Sequence, residues 1–377
     1  MSELYELPTD WEWTEWKSIV NVKNGKDYKS VLNENGLYPI YGSGGVINYA
    51  NEYLCNENTV IIGRKGTINS PIFVKEKFWN IDTAFGLEAK IDKLTPFFLY
   101  YFTLSFNFLT LNKSTTLPGL AKSNLQKILM PLPPLQEQKR IVVKLDTLFE
   151  KIDKSIALHQ KNMDEADVFM GSVLNDVFGE LEEKHNKVKL STVIRIIGGG
   201  TPSKKEKTYC DNGTIKWATV GDMNVETIIN TELSITEDGL KNSSSNIIPK
   251  EAIIIATRVG LGKVCYLNDD TAINQDLKGL LPLTDKLNIR FLFNYFKNIK
   301  EFIISNGTGA TVKGVKLDFV RELLLPFPPL NIQQKVVAHL DEISKKIEKI
   351  KSVQKEKMES LVALKASILD QAFKGEL

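Results

Sequence analysis

A proline-rich segment followed by a long charged stretch occurs twice in this chain, at one fixed distance. Pro131–Ile141 reads PLPPLQEQKRI and Pro326–Val336 reads PFPPLNIQQKV, an offset of 195 residues. The same offset continues to align identical residues: Leu145 with Leu340, Lys151 with Lys346, Met163 with Met358, Leu174 with Leu369 and Phe178 with Phe373. Chance does not keep one offset over such a distance, so the chain is a tandem duplication of roughly half its length.

Each copy of the charged stretch has the pattern of a long amphipathic helix. Apolar residues recur at steps of three, four or seven from Ile141 to Val177 and from Val336 to Ile368, with Lys, Glu and Asp between them. The prolines Pro133-Pro134 and Pro328-Pro329 mark the helix starts, because proline is tolerated there but not inside a helix. Roughly forty residues at ~1.5 Å each predict a rod of about 60 Å.

The apolar stripe of each helix needs a partner, and two arrangements are open. Each helix could pack on its own globular domain, or the two helices could pair with each other as an antiparallel coiled coil. The second is favoured because such rods are too long for single domains to cover. The predicted fold is therefore α+β: two mixed α/β recognition domains in tandem repeat, separated by two long helices that form an antiparallel coiled coil.

The regions before the two helices correspond more loosely. Both combine short β-branched runs, turns rich in Gly, Asn and Ser, and an aromatic segment with helical character (96–108 and 289–302). Four segments are predicted by number: a first domain at 1–135, a central helix at 136–180, a second domain at 181–330 and a C-terminal helix at 331–377.

Composition excludes several classes of protein. With 48 basic and 46 acidic residues the net charge is only +2, which neither supports nor excludes DNA binding. The three cysteines form no CxxC pair, so we expect a reducing compartment with no disulfide and no zinc site. No apolar run approaches the ~20 residues of a membrane span, and the first residues lack a signal-peptide pattern. A cytoplasmic protein is expected.

The repeated architecture resembles the specificity subunit of type I restriction-modification systems. The resemblance covers the whole chain and is carried by the two proline-rich helix starts, with further matches at Leu7–Trp13, Gly198–Ser203 and Ile368–Leu377. One departure is Asn331-Ile332, where the first copy has Gln136-Glu137.

The resemblance implies a function that spacing alone does not. Each domain would be a target recognition domain that reads one half of a split, asymmetric double-stranded DNA site. The helices would set the gap between half-sites and bind two methyltransferase subunits, and restriction motor-nuclease subunits would complete the complex. The chain itself would hold no cofactor, since S-adenosylmethionine, ATP and Mg²⁺ are expected on the partners.

No catalytic motif accompanies this pattern. The sequence has no GxxxxGK[ST] phosphate loop, no HExxH and no Asn-Pro-Pro-aromatic or Asp-Pro-Pro-aromatic signature of an amino-methyltransferase. We therefore expect a noncatalytic protein without a metal site. The alternatives are a duplicated coiled-coil scaffold that binds proteins instead of DNA, and a self-contained restriction or modification enzyme.

Candidate DNA contacts follow from residue type and predicted loop position. Arginine suits guanine, Asn and Gln suit adenine, and lysine and hydroxyl groups suit phosphates. The alternative for each candidate is an ordinary solvated loop. In the first half the candidates are Tyr41, Ser43, Arg64, Lys65, Thr67 and Lys122. In the second half they are Thr201, Ser203, Lys204, Lys205, Arg258, Asn274, Gln275, Thr311 and Lys313.

Overall fold

The computed structural model describes residues 5–111, 119–203, 205–309 and 311–377, which form two compact units. The first unit comprises Met1–Gln160 with Gln354–Leu377, and the second comprises Lys161–Val353. No helix in these described ranges is long and apolar enough to cross a membrane.

The first unit is built from short strands and parts of two long helices. Its strands are β1 (Glu12–Glu15), β2 (Val20–Asn24), β3 (Tyr38–Gly42), β4 (Gly45–Ala50), β5 (Thr59–Gly63), β6 (Ile72–Val74), β7 (Trp79–Asn80), β8 (Ala84–Ala89) and β9 (Leu129–Leu132). Its helices are α1 (Trp16–Ile19), α2 (Pro96–Ser105), α3 (Lys122–Leu125), the first part of α4 (Leu135–Lys184) and the last part of the C-terminal helix (Leu330–Lys374), with a 3-10 turn at Phe108–Leu111. The sheet orders are β2-β8-β5-β6, β4-β3-β7 and β1-β9.

The second unit repeats this plan with additions. Its strands are β10 (Lys187–Lys189), β11 (Ile194–Gly198), β12 (Ile215–Ala218), β13 (Thr227–Ile228), β14 (Leu233–Ile235), β15 (Asn246–Ile248), β16 (Ile253–Ala256), β17 (Val264–Leu267), β18 (Thr271–Ile273), β19 (Leu277–Pro282) and β20 (Leu324–Pro326). Its helices are the second part of α4, α5 (Leu190–Val193), α6 (Glu237–Lys241), α7 (Ile289–Asn298), α8 (Lys300–Ser305), α9 (Leu317–Glu322) and the first part of α10 (Leu330–Lys374), with 3-10 turns at Lys207–Tyr209 and Val220–Asp222.

The sheet orders confirm the duplication. In the second unit they are β11-β19-β16-β17-β13, β14-β12-β18-β15 and β10-β20. Strand by strand, β11-β19-β16-β17 repeats β2-β8-β5-β6, and β14-β12-β18 repeats β4-β3-β7. Strands β13 and β15 and helices α6 and α8 are additions of the second unit. The predicted aromatic helices are confirmed as α2 and as α7 with α8.

Both long helices are confirmed, and each unit contains an antiparallel pair of helix segments. In the first unit, Asp153 on α4 forms an ion pair with Lys365 on α10 at 2.8 Å, and His159 contacts Gln354. In the second unit, Asp167 pairs with Lys351 at 2.7 Å. The helices therefore do pair with each other.

The ends of the helices pack on the globular part of each unit. The alternative arrangement, in which the helices pack on globular domains, therefore also holds in part. In the first unit, Phe373 near the end of α10 lies against Phe98 on α2, with ring centroids 5.1 Å apart. In the second unit, Phe178 near the end of α4 lies against Phe291 on α7 at 5.3 Å. Since Phe178 and Phe373 are related by the repeat, the duplicated sequence makes the same contact in both units.

The start of each long helix is fixed by a buried glutamine. The Gln138 side-chain carbonyl accepts a hydrogen bond from Thr95 N at 2.8 Å, and its amide donates to Lys93 O and Pro133 O at 2.8 and 2.9 Å. Gln333 makes the same three bonds with the backbones of Asn288, Lys286 and Pro328 at 2.9 Å each. These bonds explain why both proline-rich segments have a glutamine at this position. The side-chain amide fixes the start of each long helix to the loop before α2 or α7.

Candidate nucleic-acid interface

In the first unit, the turn after β5 is held against the loop between β7 and β8. The backbone N–H groups of Arg64 and Lys65 both point to Thr83 O, at 2.7 and 3.4 Å. Leu120 N donates to Arg64 O at 2.9 Å, and Lys65 bridges to Gly119. The turn is thus braced on two sides, which fixes its backbone while both cationic side chains stay exposed.

The side chain of Arg64 lies over an aromatic ring. Its guanidinium carbon is 5.8 Å from the centroid of Phe85, and its Nη1 reaches Asp82 O at 3.5 Å. Within the described ranges neither Arg64 nor Lys65 forms an ion pair. An exposed arginine that is supported by a ring and not neutralised by an acid can offer its donor fork to a base edge or a phosphate.

The remaining candidates of the first unit surround this turn. Tyr41 O accepts from Ile81 N at 3.0 Å, which joins the end of β3 to the loop that holds Arg64. Ser43 lies at the tip of the β3–β4 hairpin. Thr67 closes the turn after Gly63, where a Cβ would meet Thr67 O at 2.1 Å.

Lys122 begins α3, two residues beyond the backbone bond that links Leu120 to Arg64, and its side chain is exposed. Backbone contacts therefore bring Tyr41, Arg64, Lys65 and Thr67 together in the first unit, and Ser43 and Lys122 each lie two residues along the chain from such a contact.

In the second unit the corresponding loops also meet. Thr257 N donates to Asp276 O, and Val315 N donates to Thr257 O, both at 2.9 Å. Thr201 and Gln275 are joined through their side chains. Thr308 and Gly314 exchange backbone hydrogen bonds of 2.9 Å in both directions and so close the loop that carries Thr311 and Lys313.

Charged side chains in the second unit are arranged around Asp276. Arg258 Nη1 lies 3.7 Å from the carboxylate of Asp276, whose side chain is largely buried. Lys278 Nζ donates to the backbone carbonyls of Gln275 and Leu277 at 2.6 and 2.9 Å, and burial lowers the pKa of this lysine. The acid orients Arg258, and the lysine fixes the loop on which Gln275 stands.

Asn274, unlike the exposed Gln275 that follows it, has a side chain that is not free to contact DNA. It is buried, and its side-chain carbonyl accepts from Asp276 N at 3.1 Å, so in this structure the amide shapes the turn. Ser203 and Lys205 are exposed on the loop that follows β11, where Ser203 O accepts from Glu206 N at 3.1 Å. Lys204 lies outside the described residues, and no contact joins Lys205 to the rest of the cluster within the described ranges.

Strand register relates the two clusters residue by residue. Gly63 pairs with Ala84 in the first unit, and Ala256 pairs with Leu277 in the second. Thr257 therefore stands where the first unit has Arg64, and Arg258 stands at the position of Lys65. The same edge of the fold carries cations in both units, but their order along the turn differs.

Several residues of the edge were not among the sequence candidates. Lys26 is exposed, and its backbone is held by Asn80 O and by the indole N–H of Trp79, at 3.0 and 3.2 Å. Asp276 and Lys278 were missed in the second unit. Gly25 and Gly199 both pass so close to a neighbouring backbone that a Cβ would meet a carbonyl oxygen at 1.8 and 2.1 Å, but this close approach depends on strand pairing and leaves no local signal in the sequence.

The described residues were also compared with what a metal site or a reactive cysteine requires. Among the described residues there is no group of three His, Cys, Asp or Glu side chains that could hold a metal ion. Cys55 and Cys265 are buried, and burial raises the pKa of each thiol to about 12. At neutral pH both are protonated and poor nucleophiles.

Comparison with known proteins identifies the family. The profile described as type I restriction modification DNA specificity domain matches residues 8–162 and again residues 182–359. The chain belongs to this family. Its two matches coincide with the two copies of the repeat, and the family membership makes the chain a noncatalytic DNA-recognition protein of type I restriction-modification.

Individual relatives agree with this family. The chain is 25% identical over 391 residues to the Type I restriction enzyme MjaVIII specificity subunit of Methanocaldococcus jannaschii, an alignment that covers 94% of this chain and 90% of that protein. It is 26% identical over 230 residues to the EcoR124I/EcoR124II specificity subunit of Escherichia coli, covering 57% of this chain and only 55% of that subunit.

Solved structures show the same fold. A chain in the structure of complex assembly and conformational transition of the type I R-M system aligns with a TM-score of 0.77 at 21% identity, over 99% of this chain and 100% of that one. The HsdS subunit from Thermoanaerobacter tengcongensis aligns with a TM-score of 0.54 at 22% identity, over the full length of both chains.

Proposed function

We propose that this chain reads a bipartite, asymmetric DNA target, with one half-site for each unit. The observation that carries the proposal is the repetition of one edge: in both units, loops after equivalent strands carry exposed cations and hydroxyls on a braced backbone. Residues 1–135 and 181–330 would be the recognition domains, and 136–180 and 331–377 the spacer helices. Because the two edges differ in sequence, the half-sites would differ too.

The helices would bind two methyltransferase subunits, and a motor-nuclease subunit would join the assembly. Support comes from large apolar side chains that remain exposed at positions related by the repeat: Leu158 with Val353, and Phe169 with Leu364. A surface that occurs twice in one chain suits two copies of one partner. Such a complex would act on chromosomal DNA in the cytoplasm, with S-adenosylmethionine and ATP bound by the partners.

The proposal is tested by changing one edge at a time in the chain assembled with its methyltransferase subunits. Arg64→Ala should relax specificity at one half-site only, and Arg258→Ala at the other only. A lost bidentate contact to guanine costs about tenfold or more in discrimination. An equal loss of specificity at both half-sites in either variant would contradict the proposal that each unit recognises its own half-site.

The runner-up is a scaffold whose duplicated units bind proteins and not DNA. Binding of duplexes of random and of target sequence, measured over a range of salt concentrations, separates the two. The proposal predicts a higher affinity for the target and a steep fall with salt, because phosphate contacts release counterions. The scaffold predicts neither.

A further inference from the structure

The β3–β4 hairpin of the first unit exposes apolar side chains beside the cationic edge. Gly42 pairs with Gly45, so the connecting loop consists only of Ser43-Gly44. After Gly45, the next two residues of the hairpin, Val46 and Ile47, are 48% and 49% exposed. A single exposed apolar residue is ordinary, but two consecutive β-branched residues at the tip of a narrow hairpin point to a surface that something else covers.

A register shift in the hairpin accounts for this exposure. Tyr41 pairs with Val46, whereas Ile40 pairs with Asn48, so Ile47 is the extra residue of a β-bulge. A bulge disturbs the normal alternation of side chains and redirects them, and such bulges are frequent next to functional sites. Without it, Val46 and Ile47 would face opposite sides of the sheet in strict alternation.

The hairpin is rigidly attached to the edge that carries Arg64. The carbonyl of Tyr41 accepts from Ile81 N at 3.0 Å, and two residues later Thr83 O accepts from Arg64 N. The ring of Tyr41 packs edge-on against Phe78, with centroids 5.4 Å apart. The hairpin and the turn that carries Arg64 are therefore fixed to the same short loop between β7 and β8.

We propose that this hairpin enters the major groove of the half-site read by the first unit, and that Val46 and Ile47 contact the 5-methyl groups of thymine. This deepens the proposed function and rests on it. The major groove admits a two-stranded β-ribbon, and the thymine methyl is the apolar group that the groove presents. Duplex DNA fits better than a protein partner because exposed Lys26 and Lys65, which suit phosphates, lie at the same edge as Arg64, which suits a guanine edge.

Replacement of thymine by deoxyuridine tests the contact directly. The full chain is assembled with its methyltransferase subunits, and its affinity is measured for target duplexes in which each thymine of either half-site is replaced in turn. With the natural hairpin, deoxyuridine at one or two positions of a single half-site should weaken binding about fourfold, the value of one buried methyl group. At the same positions Val46→Ala and Ile47→Ala should bind thymine and deoxyuridine duplexes more nearly alike.

Leu37→Ala is the matched control, because Leu37 is 83% exposed in the same unit but precedes β3 at the far end of the strand from the tip. It should keep the full preference for thymine. Unchanged discrimination at the base pair of the same half-site that Arg64→Ala relaxes shows that the first unit of each hairpin variant is folded.

Two results would overturn the proposal. One is no preference for thymine anywhere in the half-site that Arg64→Ala relaxes. The other is an unchanged preference in both hairpin variants. In either case the effect of Arg64→Ala would still stand, so the hairpin contact would fall while the proposed function survived. Absence of any sequence-dependent binding would remove both.

Discussion

At the scale of single residues, the glutamine at the start of each long helix has a structural role that its sequence position does not reveal. Gln138 and Gln333 are fully buried, and each satisfies one backbone donor and two backbone acceptors. Buried polar groups are costly unless they are paired, so an amide that fills both its donor and acceptor capacity is hard to replace. The departure at Asn331-Ile332 leaves this contact intact because neither residue takes part in it.

Gln138→Leu should lower the free energy of unfolding of the first unit by about 2 kcal/mol, because it leaves the buried Pro133 carbonyl and two partly buried backbone groups without partners. Urea denaturation followed by tryptophan fluorescence measures this, since all tryptophans except Trp217 belong to the first unit. Gln136→Leu is the control: Gln136 is exposed two residues earlier and should change stability by less than about 0.5 kcal/mol. Equal effects of the two substitutions would show that the buried bonds contribute little.

The sequence predicted part of the candidate edge at this scale. Arg64 and Arg258 could be found because each follows a short apolar run that ends in a turn, which places a cation at a strand end. Lys26, Asp276 and Lys278 could not, because their positions depend on which strands are neighbours. That pairing is long-range and leaves no local pattern. The part played by Asn274 in its own turn likewise required its burial and hydrogen bond to be known.

At the scale of elements, apolar contacts outweigh ion pairs in holding the helix ends. Phe373 is 4% exposed and packs against Phe98 and Phe102, with centroids 5.1 and 5.4 Å away. The ion pair of Lys365 with Asp153 has a carboxylate that is largely exposed. Exposed pairs contribute about 0.5 kcal/mol, whereas truncation of a buried phenylalanine costs about 4 kcal/mol.

Phe373→Ala should therefore destabilise the first unit by about 4 kcal/mol, and Asp153→Asn by about 0.5 kcal/mol or less. Both can be measured by the same urea denaturation. The order of the two effects is the test: a larger loss from Asp153→Asn would mean that the helix pair depends on charge. Raising the salt concentration should leave the effect of Phe373→Ala unchanged, because a contact between apolar rings is not screened.

The long helices were the elements most predictable from sequence. Their apolar period extends over many turns, so local pattern determines both their existence and their approximate ends. It was less predictable which part of each helix packs on the globular part of a unit and which part pairs with the other helix. The apolar stripe drifts along each helix, and the structure shows that its ends face the globular part of a unit while residues such as Asp153 and Lys365 pair across the two helices.

At the scale of the whole molecule, α4 and α10 each continue from one unit into the other, so their length should set the spacing of the half-sites. Insertion of seven residues after Ile152, with a matching insertion in α10, adds about 10 Å to each helix and keeps the apolar stripe in phase. The gap in the DNA target should grow by about three base pairs.

The gap in the target of this variant is read by mapping methylation in cells that carry it. Insertion of seven residues in α4 alone serves as a control, since it mismatches the two helices and should reduce methylation without defining a new gap. An unchanged gap in the doubly lengthened variant would contradict a spacer role for the helices.

The central claim is that this one chain reads two different half-sites, and genome-wide mapping of methylated adenines tests it most directly. Cells with the chain should show a two-part motif with a fixed gap, deletion of its gene should remove the motif, and Arg64→Ala should relax one part while the other stays intact. A motif that persists after deletion, or a single continuous site, would contradict the claim.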